Sequence, residues 1–501
     1  MAGLLVYALL LAAALLVAPS ELYDAGSAYF ILIIGVVGLW RYGWALVHLA
    51  RALIYRGLVF PRWRRRANAM GEAGRPSHVY LLITSFRIDS ETTRRVYQAA
   101  LDEAAAQTSP VTIVASIVEM GDQRLIKQLF AAAKPPPHVG ICFVRIPGTG
   151  KRDALASAFR SISSLRPPRD AVVCVIDGDT ILEPGVLEGT LPFFAMFPRA
   201  LALTTDETCD VVGSRIFREW YAMRFAQRQI LMCSVGLSRR VLTLTGRMSA
   251  FRAEVVTDPV FIQAVEHDEI EHWRLGRIRF LTGDDKSSWF FVLSRGGEML
   301  YIPDVSIRTV EHPPYPSFFG SATALMIRWF GNMLRTSGRA IRLGPRPMGL
   351  FTWWCIVDQR LSMWTTLMGP VVVILLSTLV DPFVLPLYLL WVALTRYLQA
   401  VLLLTVREQV TVYYPFLLYF NQVYGSLIKI YILFRLDRQK WTRQNTSSPR
   451  STGAGTYRRF APLSSAYMHT LALGLLVVSL ATVIGVLPLV LPGDIVDFPG
   501  G

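Results

Sequence analysis

The chain has 501 residues, of which 52% are hydrophobic, and it carries a formal net charge of +15. It is too long for one ordinary soluble domain, and its apolar residues are clustered in runs. Its five cysteines are scattered without a C-x-x-C pair, which gives no sign of a disulfide framework or zinc site and fits a reducing compartment.

The apolar runs come in two groups. The first group is Leu4–Val17 and Ala28–Ala50, and the second is Met363–Val380, Pro382–Leu404, Val412–Phe434 and Tyr467–Leu491. A spanning helix needs about 20 apolar residues, so we expect transmembrane helices within 1–59, a polar insert at 60–350 and a transmembrane region at 351–501. No lysine or arginine precedes Leu4, which favours a short first span there over a cleaved signal peptide.

Basic residues predict the orientation. Arginines cluster between positions 56 and 66, and a second basic stretch covers 435–459. Basic loops stay inside, so the insert and the second stretch should both be cytosolic. Val412–Phe434, interrupted by Asn421, Gln422 and Lys429, is therefore predicted to be an in-plane or re-entrant helix, which leaves five spans. The positive charge suits an anionic lipid leaflet and anionic ligands, and no nucleic-acid-binding module is visible.

The insert alternates strands and helices. Short, β-branched, nearly continuous apolar runs at 78–84, 111–118, 141–146 and 171–176 are separated by helix-like segments. This pattern predicts a Rossmann-like α/β domain with a mostly parallel sheet. Ligands of such sheets bind beyond the carboxyl ends of the strands. Those ends are followed by Ser85, Glu119, Gly148–Lys151 and Asp177–Asp179.

The stretch PGTGKRDAL (147–155) looks at first like a nucleotide-triphosphate loop. The pattern G-x-x-x-x-G-K-S/T fails, because Arg145 stands at the first glycine and Arg152 at the hydroxyl position. Lys151 and Arg152 remain as a cationic pair at a strand-to-helix turn. The pair either binds a diphosphate or is a solvated helix start.

The stretch AVVCVIDGDT (171–180) ends a strand with two carboxylates. Asp177 and Asp179 are two residues apart, so an extended chain points them to one face. Two adjacent anions need a compensating cation, and Mg²⁺ shared with substrate phosphates meets that need. A D-G turn facing water is the alternative. Taken together with Lys151 and Arg152 at a neighbouring strand end, Asp177 and Asp179 favour a site for the diphosphate of a nucleotide sugar.

A second acidic pair, Asp284 and Asp285, lies in LTGDDKSSWF (281–290). Transfer to a hydroxyl with inversion needs one base, so a single aspartate suffices, although an ordinary turn is possible. Trp289 could pack against a sugar ring. Further along, Arg328 offers a cation for phosphate and Trp329 an indole for stacking, or a membrane anchor.

These stretches, in this order, resemble the processive family 2 glycosyltransferases, which include cellulose, chitin and hyaluronan synthases. The likeness is strongest to the mannuronan synthases that polymerise bacterial alginate. It is carried by TSFRID (84–89), IPGTGKRDALA (146–156), DGDT (177–180), RFAQRQI (224–230), TGRMSAFRA (245–253), LTGDDKSSWF (281–290), TVEHPP (309–314), RWFGNMLR (328–335) and RLDRQKWTRQ (435–444).

The resemblance implies a role for each matching position. The nucleotide and diphosphate would contact Ser85, Glu119, Lys151, Arg152 and Arg328, while Asp177 and Asp179 would hold Mg²⁺ or Mn²⁺. Asp285 would be the catalytic base. Sugar or acceptor contacts would come from Gly246, Arg247, Asp284, Lys286, Trp289, Trp329, Trp441 and Arg443. The sequence departs from the family pattern at two positions: Leu325 replaces the glutamine of Q-x-x-R-W, and the W-G-T-like stretch lacks its glycine.

The resemblance also implies the reaction and its partners. GDP-mannuronic acid would donate β-1,4-linked mannuronate to growing polymannuronate. A uronate donor calls for a cation beside its carboxylate, and Arg247 is the first choice, ahead of Lys286, because a guanidinium can bind a carboxylate with two hydrogen bonds. The enzyme would sit in a bacterial inner membrane with a cyclic-di-GMP-binding PilZ co-polymerase and periplasmic alginate export machinery. Polar residues of the membrane region would line a conduit: Asp358, Arg360, Arg396, Asn421 and Gln422, with helix-end snorkelling favoured for Arg360. A synthase of another polysaccharide and an NTP-driven transporter are the alternatives.

Overall fold

The computed structural model describes residues 2–18, 36–441, 446–447 and 455–488. The chain forms two compact units. The helical unit comprises Met1–Leu46, Gln359–Arg435 and Arg459–Gly501, and the sheet unit comprises Val47–Asp358 and Leu436–Arg458. The first helices are α1 (Ala2–Val17), α2 (Val36–Ile54), a π-helical turn (Tyr55–Val59) and α3 (Phe60–Ala69).

The first half of the sheet unit alternates strands and helices as predicted. Strands β1 (Val79–Thr84), β2 (Val111–Ile117), β3 (Val139–Arg145) and β4 (Val172–Asp177) are parallel neighbours. Helices α4 (Ser90–Ala105), α5 (Met120–Ala133) and α6 (Lys151–Ser164) connect them. Nearly every residue of β1, β2 and β4 is buried, as expected for β-branched strands covered on both faces.

The second half adds four strands to the same sheet and several helices. They are β5 (Thr180–Leu182), α7 (Val186–Thr190), α8 (Pro192–Met196), β6 (Ala200–Val211), α9 (Arg215–Gly236), β7 (Met248–Arg252), α10 (Ala253–Val256), α11 (Pro259–Glu266), the hairpin β8 (Glu269–His272) and β9 (Gly276–Arg279), α12 (Asp284–Ser294), β10 (Glu298–Glu311) and α13 (Phe318–Arg342). The eight-stranded sheet has the order β3-β2-β1-β4-β7-β6-β10-β5. The Rossmann-like, mostly parallel fold is therefore confirmed.

One antiparallel strand decides which residues meet at the sheet edge. Strand β7 runs antiparallel to β4, with Ile176 opposite Met248. The start of β7 consequently lies beside the end of β4, and the amide of Asp177 donates to the carbonyl of Arg247 at 3.1 Å. The pair Gly246–Arg247 is thereby brought to the edge where the parallel strands end.

The C-terminal apolar runs form long helices. They are α14 (Leu350–Leu379), α15 (Val384–Leu402), α16 (Tyr413–Leu433) and α17 (Gly455–Val483). Within the described residues, four helices are long and apolar enough to cross a membrane: Leu350–Leu379, Val384–Thr405, Tyr413–Leu433 and Phe460–Val483. Helix α16 is thus long enough to span, and its in-plane placement stays a prediction. Part of the Ala28–Ala50 run lies outside the described residues.

The stretch after α16 belongs to the sheet unit. Its short strand β11 (Lys440–Trp441) pairs antiparallel with β12 (Thr446–Ser447). Arg443, which the resemblance assigned to the acceptor, lies outside the described residues, and of Trp441 only the backbone is described. The roles implied for both residues stay predictions.

Candidate active site

The strand ends predicted to meet do so around one cavity of about 430 Å³. The residues that line it come from the ends of β1, β4 and β10, the turn before α6, the start of β7 and helices α12 and α13. They include Thr84, Ser85, Gly148, Gly150, Lys151, Asp177, Gly178, Asp179, Gly246, Arg247, Thr282, Asp284, Asp285, Glu311, His312, Arg328, Trp329 and Asn332.

Lys151 joins the two acidic pairs that the sequence singled out. Its Nζ lies 2.6 Å from Oδ1 of Asp177 and 2.9 Å from Oδ2 of Asp284. Lys151 is the first residue of α6, and Asp284 is the first of α12, so two helix starts and one strand end converge on this ammonium group. Proximity of the two acidic pairs could not be derived from sequence, because 105 positions separate Asp179 from Asp284.

One ammonium group does not compensate all the carboxylates around it. Burial, opposed by Lys151 but reinforced by Asp179 and Asp284, raises the pKa of Asp177 to about 6. Asp284 is also buried, but Lys151 and Arg152 hold its pKa below the ordinary value. The two carboxylates in turn raise the pKa of Lys151 despite its burial. The positive charge around Asp177 therefore does not offset its burial and the two neighbouring carboxylates.

Two glycines let the backbone approach these groups closely. A Cβ on Gly178 would lie 2.6 Å from the carbonyl oxygen of Thr84 and 2.9 Å from Oγ of Ser85, so only glycine fits between the two aspartates. A Cβ on Gly246 would lie 3.1 Å from Nζ of Lys151, 3.4 Å from Oδ2 of Asp177 and 4.0 Å from Cβ of Asp285. The space beside Gly246 is therefore enclosed by the side chains of Lys151, Asp177 and Asp285.

We expect Gly246→Ala to lower turnover by about 10²-fold, because the added methyl group displaces Lys151 from Asp177 and a small misplacement at a reacting centre costs about this much. The measurement is the rate of nucleotide release from the donor by the membrane-embedded protein. Gly121→Ala is a matched control, since a Cβ there meets nothing within 4 Å. Full activity of Gly246→Ala would contradict the geometry.

Asp285 follows Asp284 at the start of α12 and lines the cavity. Burial and the negative charge of Asp284 raise its pKa, which makes its carboxylate a stronger base than an ordinary aspartate. The preceding loop is held from two sides. The Gln439 side chain accepts from the amide of Leu281 at 3.0 Å and donates to the carbonyl of Arg279 at 2.8 Å, and Thr282 donates to Oδ1 of Asn332 at 2.8 Å.

Arg152 does not face the cavity, which corrects its predicted contact with the diphosphate. It is 5% exposed, and its guanidinium donates to the carbonyls of Val265 at 2.6 Å and Thr282 at 3.0 Å. Adjacent residues of a helix point about 100° apart, and here Lys151 lines the cavity while Arg152 does not. Arg152 instead packs the loop before α12 against α6.

Three other residues that were predicted to contact the nucleotide or the sugar do not line the cavity. Trp289 is 2% exposed and its Nε1 donates to the carbonyl of Val241 at 2.7 Å, so it is a core residue and not a sugar platform. Lys286 donates to the carbonyl of Leu242 at 2.9 Å, and burial lowers its pKa to about 8. Glu119 precedes α5 on the exposed surface and is not among the residues lining the cavity.

Arg247 lines the cavity but is already paired with two carboxylates. Its guanidinium lies 3.0 Å from Glu207 and 2.7 Å from Glu311. Glu207 is fully buried and is also 3.2 Å from Arg228, and the two arginines keep its pKa below the ordinary value despite burial. Because Arg247 is neutralised in this way, the structure does not support it as the first choice for binding a uronate carboxylate.

Arg328 and Trp329 line the cavity from α13, together with Leu325 in place of the glutamine of the related motif. Trp329 is stacked on Trp220 with ring centroids 5.8 Å apart. The guanidinium of Arg224 lies 3.9 Å from the centroid of Trp329 and 4.8 Å from that of Trp220. The indole is therefore fixed between an aromatic ring and a cation.

Several lining residues carried no signal of their own in the sequence. Glu311 and His312 occur in TVEHPP and Asn332 in RWFGNMLR, two stretches that support the resemblance without a role for these side chains. Glu207 lies in the middle of β6, where a lone glutamate gives no hint that it balances two arginines. Within the described part of the chain, no group of three or more His, Cys, Asp or Glu side chains is arranged to hold a metal ion.

The comparisons with known proteins agree with this architecture. The model of the family described as glycosyltransferase like family 2 matches residues 76–332. The protein named Glycosyltransferase alg8 of Pseudomonas syringae pv. tomato is 50% identical, with 90% of this chain and 91% of that protein covered. Its namesake in Azotobacter vinelandii is 48% identical, with 85% and 87% covered.

Distant similarity to solved structures is also found. The mannosyltransferase PcManGT from Pyrobaculum calidifontis, solved with GDP-Man and Mn²⁺, is 16% identical with a TM-score of 0.43, covering 77% of this chain and 98% of that one. S. aureus TarS 1–349 is 9% identical with a TM-score of 0.29, covering 52% and 66%. The sheet unit has the Rossmann-like α/β fold of glycosyltransferases. The chain belongs to the family 2 glycosyltransferases.

Proposed function

We propose that this enzyme is a processive inverting glycosyltransferase that polymerises mannuronic acid from GDP-mannuronic acid into β-1,4-mannuronan, the precursor of alginate. The two relatives named Glycosyltransferase alg8 support the assignment to alginate synthesis. The observation that carries the chemistry is the gathering of Lys151, Asp177 and Asp285 around Gly246, each within 4.0 Å of one added carbon there. A diphosphate-binding cation and a base thus face one small volume.

Asp285 is the base in the proposed reaction. It removes the proton of the acceptor's 4-hydroxyl as that oxygen attacks C1 of the donor, and the configuration at C1 inverts because attack occurs opposite the departing GDP. Lys151 and Arg328 supply positive charge on the side of the diphosphate, where negative charge develops as the bond breaks. Both cations and the base line the same cavity.

A divalent ion fits beside Asp177 and Asp179. Both carboxylates line the cavity, and burial together with Asp179 and Asp284 raises the pKa of Asp177, which indicates too little positive charge there. Asp177 and Asp179 would hold Mg²⁺ or Mn²⁺, which suit oxygen ligands of this kind. When bound, such an ion neutralises charge on the leaving diphosphate.

The charge behind Trp329 supports an anionic sugar over a neutral one. Two guanidinium groups, those of Arg228 and Arg247, pair with the carboxylates of Glu207 and Glu311. The guanidinium of Arg224 lies over the Trp329 ring and forms no ion pair with a carboxylate among the described residues. The Nη1 of Arg224 is buried with no hydrogen-bond partner in the described part of the chain. Burial and the charge of Arg247 lower the pKa of Arg224 to about 10, so a nearby anion would be favourable.

We expect Arg224→Gln to lower the rate of polymer synthesis about tenfold at both low and high salt, because a buried cation attracts a nearby anion strongly and is little screened by salt. Arg224→Lys should retain most of the rate. The control is Arg218→Gln, at an exposed arginine of the same helix α9 that donates to the carbonyl of Gly213. If Arg224→Gln and Arg218→Gln lowered the rate of polymer synthesis equally, Arg224 would have no specific role in attracting the anionic sugar.

The direct test supplies membranes containing the chain and its presumed regulatory partner with GDP-mannuronic acid and Mg²⁺. GDP release together with a high-mass polymer sensitive to alginate lyase is the expected result. Consumption of another nucleotide sugar with no use of GDP-mannuronic acid would keep the family and overturn the donor. Hydrolysis of ATP or GTP coupled to transport would instead favour a transporter.

We further propose that the protein lies in a bacterial inner membrane, with the sheet unit in the cytosol, and that it passes the polymer across the membrane. Its proposed partners are a PilZ co-polymerase that binds cyclic di-GMP and the periplasmic alginate export machinery. Four helices with spanning length and composition, and the arginines that follow α2, support the membrane placement and the orientation. Labelling of single cysteines placed at 445 and 408 from either side of the membrane tests the cytosolic location of the second basic stretch.

A further inference from the structure

A second cavity, of about 490 Å³, lies within the helical unit between α1, α15 and α16. This volume falls in the usual range of small-molecule sites. Its wall is almost entirely hydrocarbon and aromatic, with Leu389 and Val392 from α15 and Phe416 from α16. Arg396 is the one charged residue among the described residues that line it.

Arg396 has little to compensate its charge. It is 6% exposed, and its Nε is buried with no hydrogen-bond partner in the described residues. Among the described residues, its Nη1 donates a hydrogen bond only to Oγ1 of the adjacent Thr395, at 3.4 Å, and its Cζ lies 5.9 Å from the ring centroid of Tyr419. Arg396 thus has no anionic partner among the described residues, and a buried guanidinium in that state is costly in a helix of membrane-spanning composition. An anion in the cavity would remove that cost.

The lining decides which kind of anion fits. A polyuronate carries hydroxyls and carboxylates on every sugar, and an apolar wall would leave them without hydrogen bonds. A phospholipid needs one cation for its phosphate and hydrocarbon for its acyl chain, which matches one arginine on an apolar wall. The hydroxyl of Tyr7 already donates to the carbonyl of Ala393, and that of Tyr419 is 3.4 Å from that of Tyr388. The expectation that Arg396 lines a polar conduit for the polymer is therefore not supported by its surroundings.

We propose that this cavity binds an anionic phospholipid, with Arg396 holding the phosphate and the side chains of Leu389, Val392 and Phe416 contacting the acyl chain. Such a lipid stabilises the folded helical unit, because a ligand that binds only the folded state raises its stability by mass action. The proposal stands independently of the donor sugar and of the polymer.

The test measures lipid retention by native mass spectrometry and thermal unfolding of the full-length protein in detergent, with phosphatidylglycerol, phosphatidylcholine or inorganic phosphate added. We expect phosphatidylglycerol to be retained and to raise Tm more than the other two. In Arg396→Gln the preference for phosphatidylglycerol should fall roughly tenfold or more, as for the loss of a charged hydrogen bond. Arg396→Lys should keep the preference, and Arg407→Gln, in the same unit, is the control.

Other outcomes would overturn the proposal. A wild-type preference in Arg396→Gln, or equal binding of both lipids by the unmutated protein, would exclude a phosphate site at Arg396. Stabilisation by inorganic phosphate alone would indicate a small-anion site without an acyl chain. Displacement of the lipid by mannuronate oligomers would indicate a polymer path. If Arg396→Gln fails to fold, Leu389→Trp, at a half-exposed position of the wall, should fill the cavity and abolish lipid retention with the arginine intact.

Discussion

Replacing Asp285 with asparagine is expected to lower polymer formation by about 10²–10⁴-fold, the usual contribution of a positioned general base. The amide has the same size as the carboxylate but cannot accept the acceptor's proton. Burial and Asp284 raise the pKa of Asp285, so the lost group is more basic than an ordinary aspartate. The measurement is GDP release and polymer mass from GDP-mannuronic acid, with binding of GDP measured in parallel.

GDP binding should be close to normal in Asp285→Asn, because the proposed diphosphate site is built from other residues. Glu271→Gln is a matched control, since Glu271 is an acidic residue of the exposed β8–β9 hairpin that pairs only with the surface residue Arg277 among the ion pairs of the described chain. Normal polymer formation in Asp285→Asn would show that Asp285 is not the catalytic base. A loss of GDP binding as large as the loss of polymer would point to a disturbed site instead.

Replacing Lys151 with methionine should lower turnover by roughly 10²–10³-fold, as for removal of one preorganised electrostatic contact. Methionine keeps much of the length and volume of the side chain but leaves Asp177 and Asp284 without the ammonium group that lies 2.6 Å and 2.9 Å from them. The pKa of Asp284 should then rise toward that of an uncompensated buried carboxyl. Turnover and donor affinity are measured at saturating and limiting Mg²⁺.

Lys127→Met is the control, because Lys127 packs near the Phe143 ring, away from the residues that line the cavity. A drop in donor affinity that additional Mg²⁺ restores would show that Lys151 and the ion share the task of balancing the carboxylates. Unchanged turnover and affinity in Lys151→Met would exclude Lys151 from the diphosphate site. The two substitutions separate the base from the donor site, since Asp285→Asn should affect turnover and Lys151→Met both quantities.

The parallel half of the fold could be predicted closely from sequence. Strands predicted at 111–118 and 171–176 are found at Val111–Ile117 and Val172–Asp177. Buried parallel strands are apolar on both faces, so they stand out as continuous β-branched runs between amphipathic helices. The i, i+2 spacing of Asp177 and Asp179 at a strand end likewise follows from strand geometry, and both line the cavity as the pattern indicates.

Side-chain direction on the helices was the main source of error. Lys151 and Arg152 are neighbours in sequence, yet one contacts Asp177 and the other is buried against Val265 and Thr282. Trp289 was expected at a sugar because it follows the acidic pair, but it packs in the core. A motif shows which residue types occur together, whereas the packing of the helix against the sheet decides which of them faces the ligand.

The sequence by itself determined the class of fold, the edge of the sheet where the cavity lies, and the residue types gathered there. Strand periodicity and the residues that follow the carboxyl end of each strand can be read from local stretches of sequence. Tertiary structure alone decided that antiparallel β7 brings Gly246 to Asp177, that Lys151 lies between Asp177 and Asp284, and that Gln439 holds the loop before Asp285. These contacts join residues far apart in the chain, and their distances depend on how the strands pair and the helices pack, which no local pattern encodes.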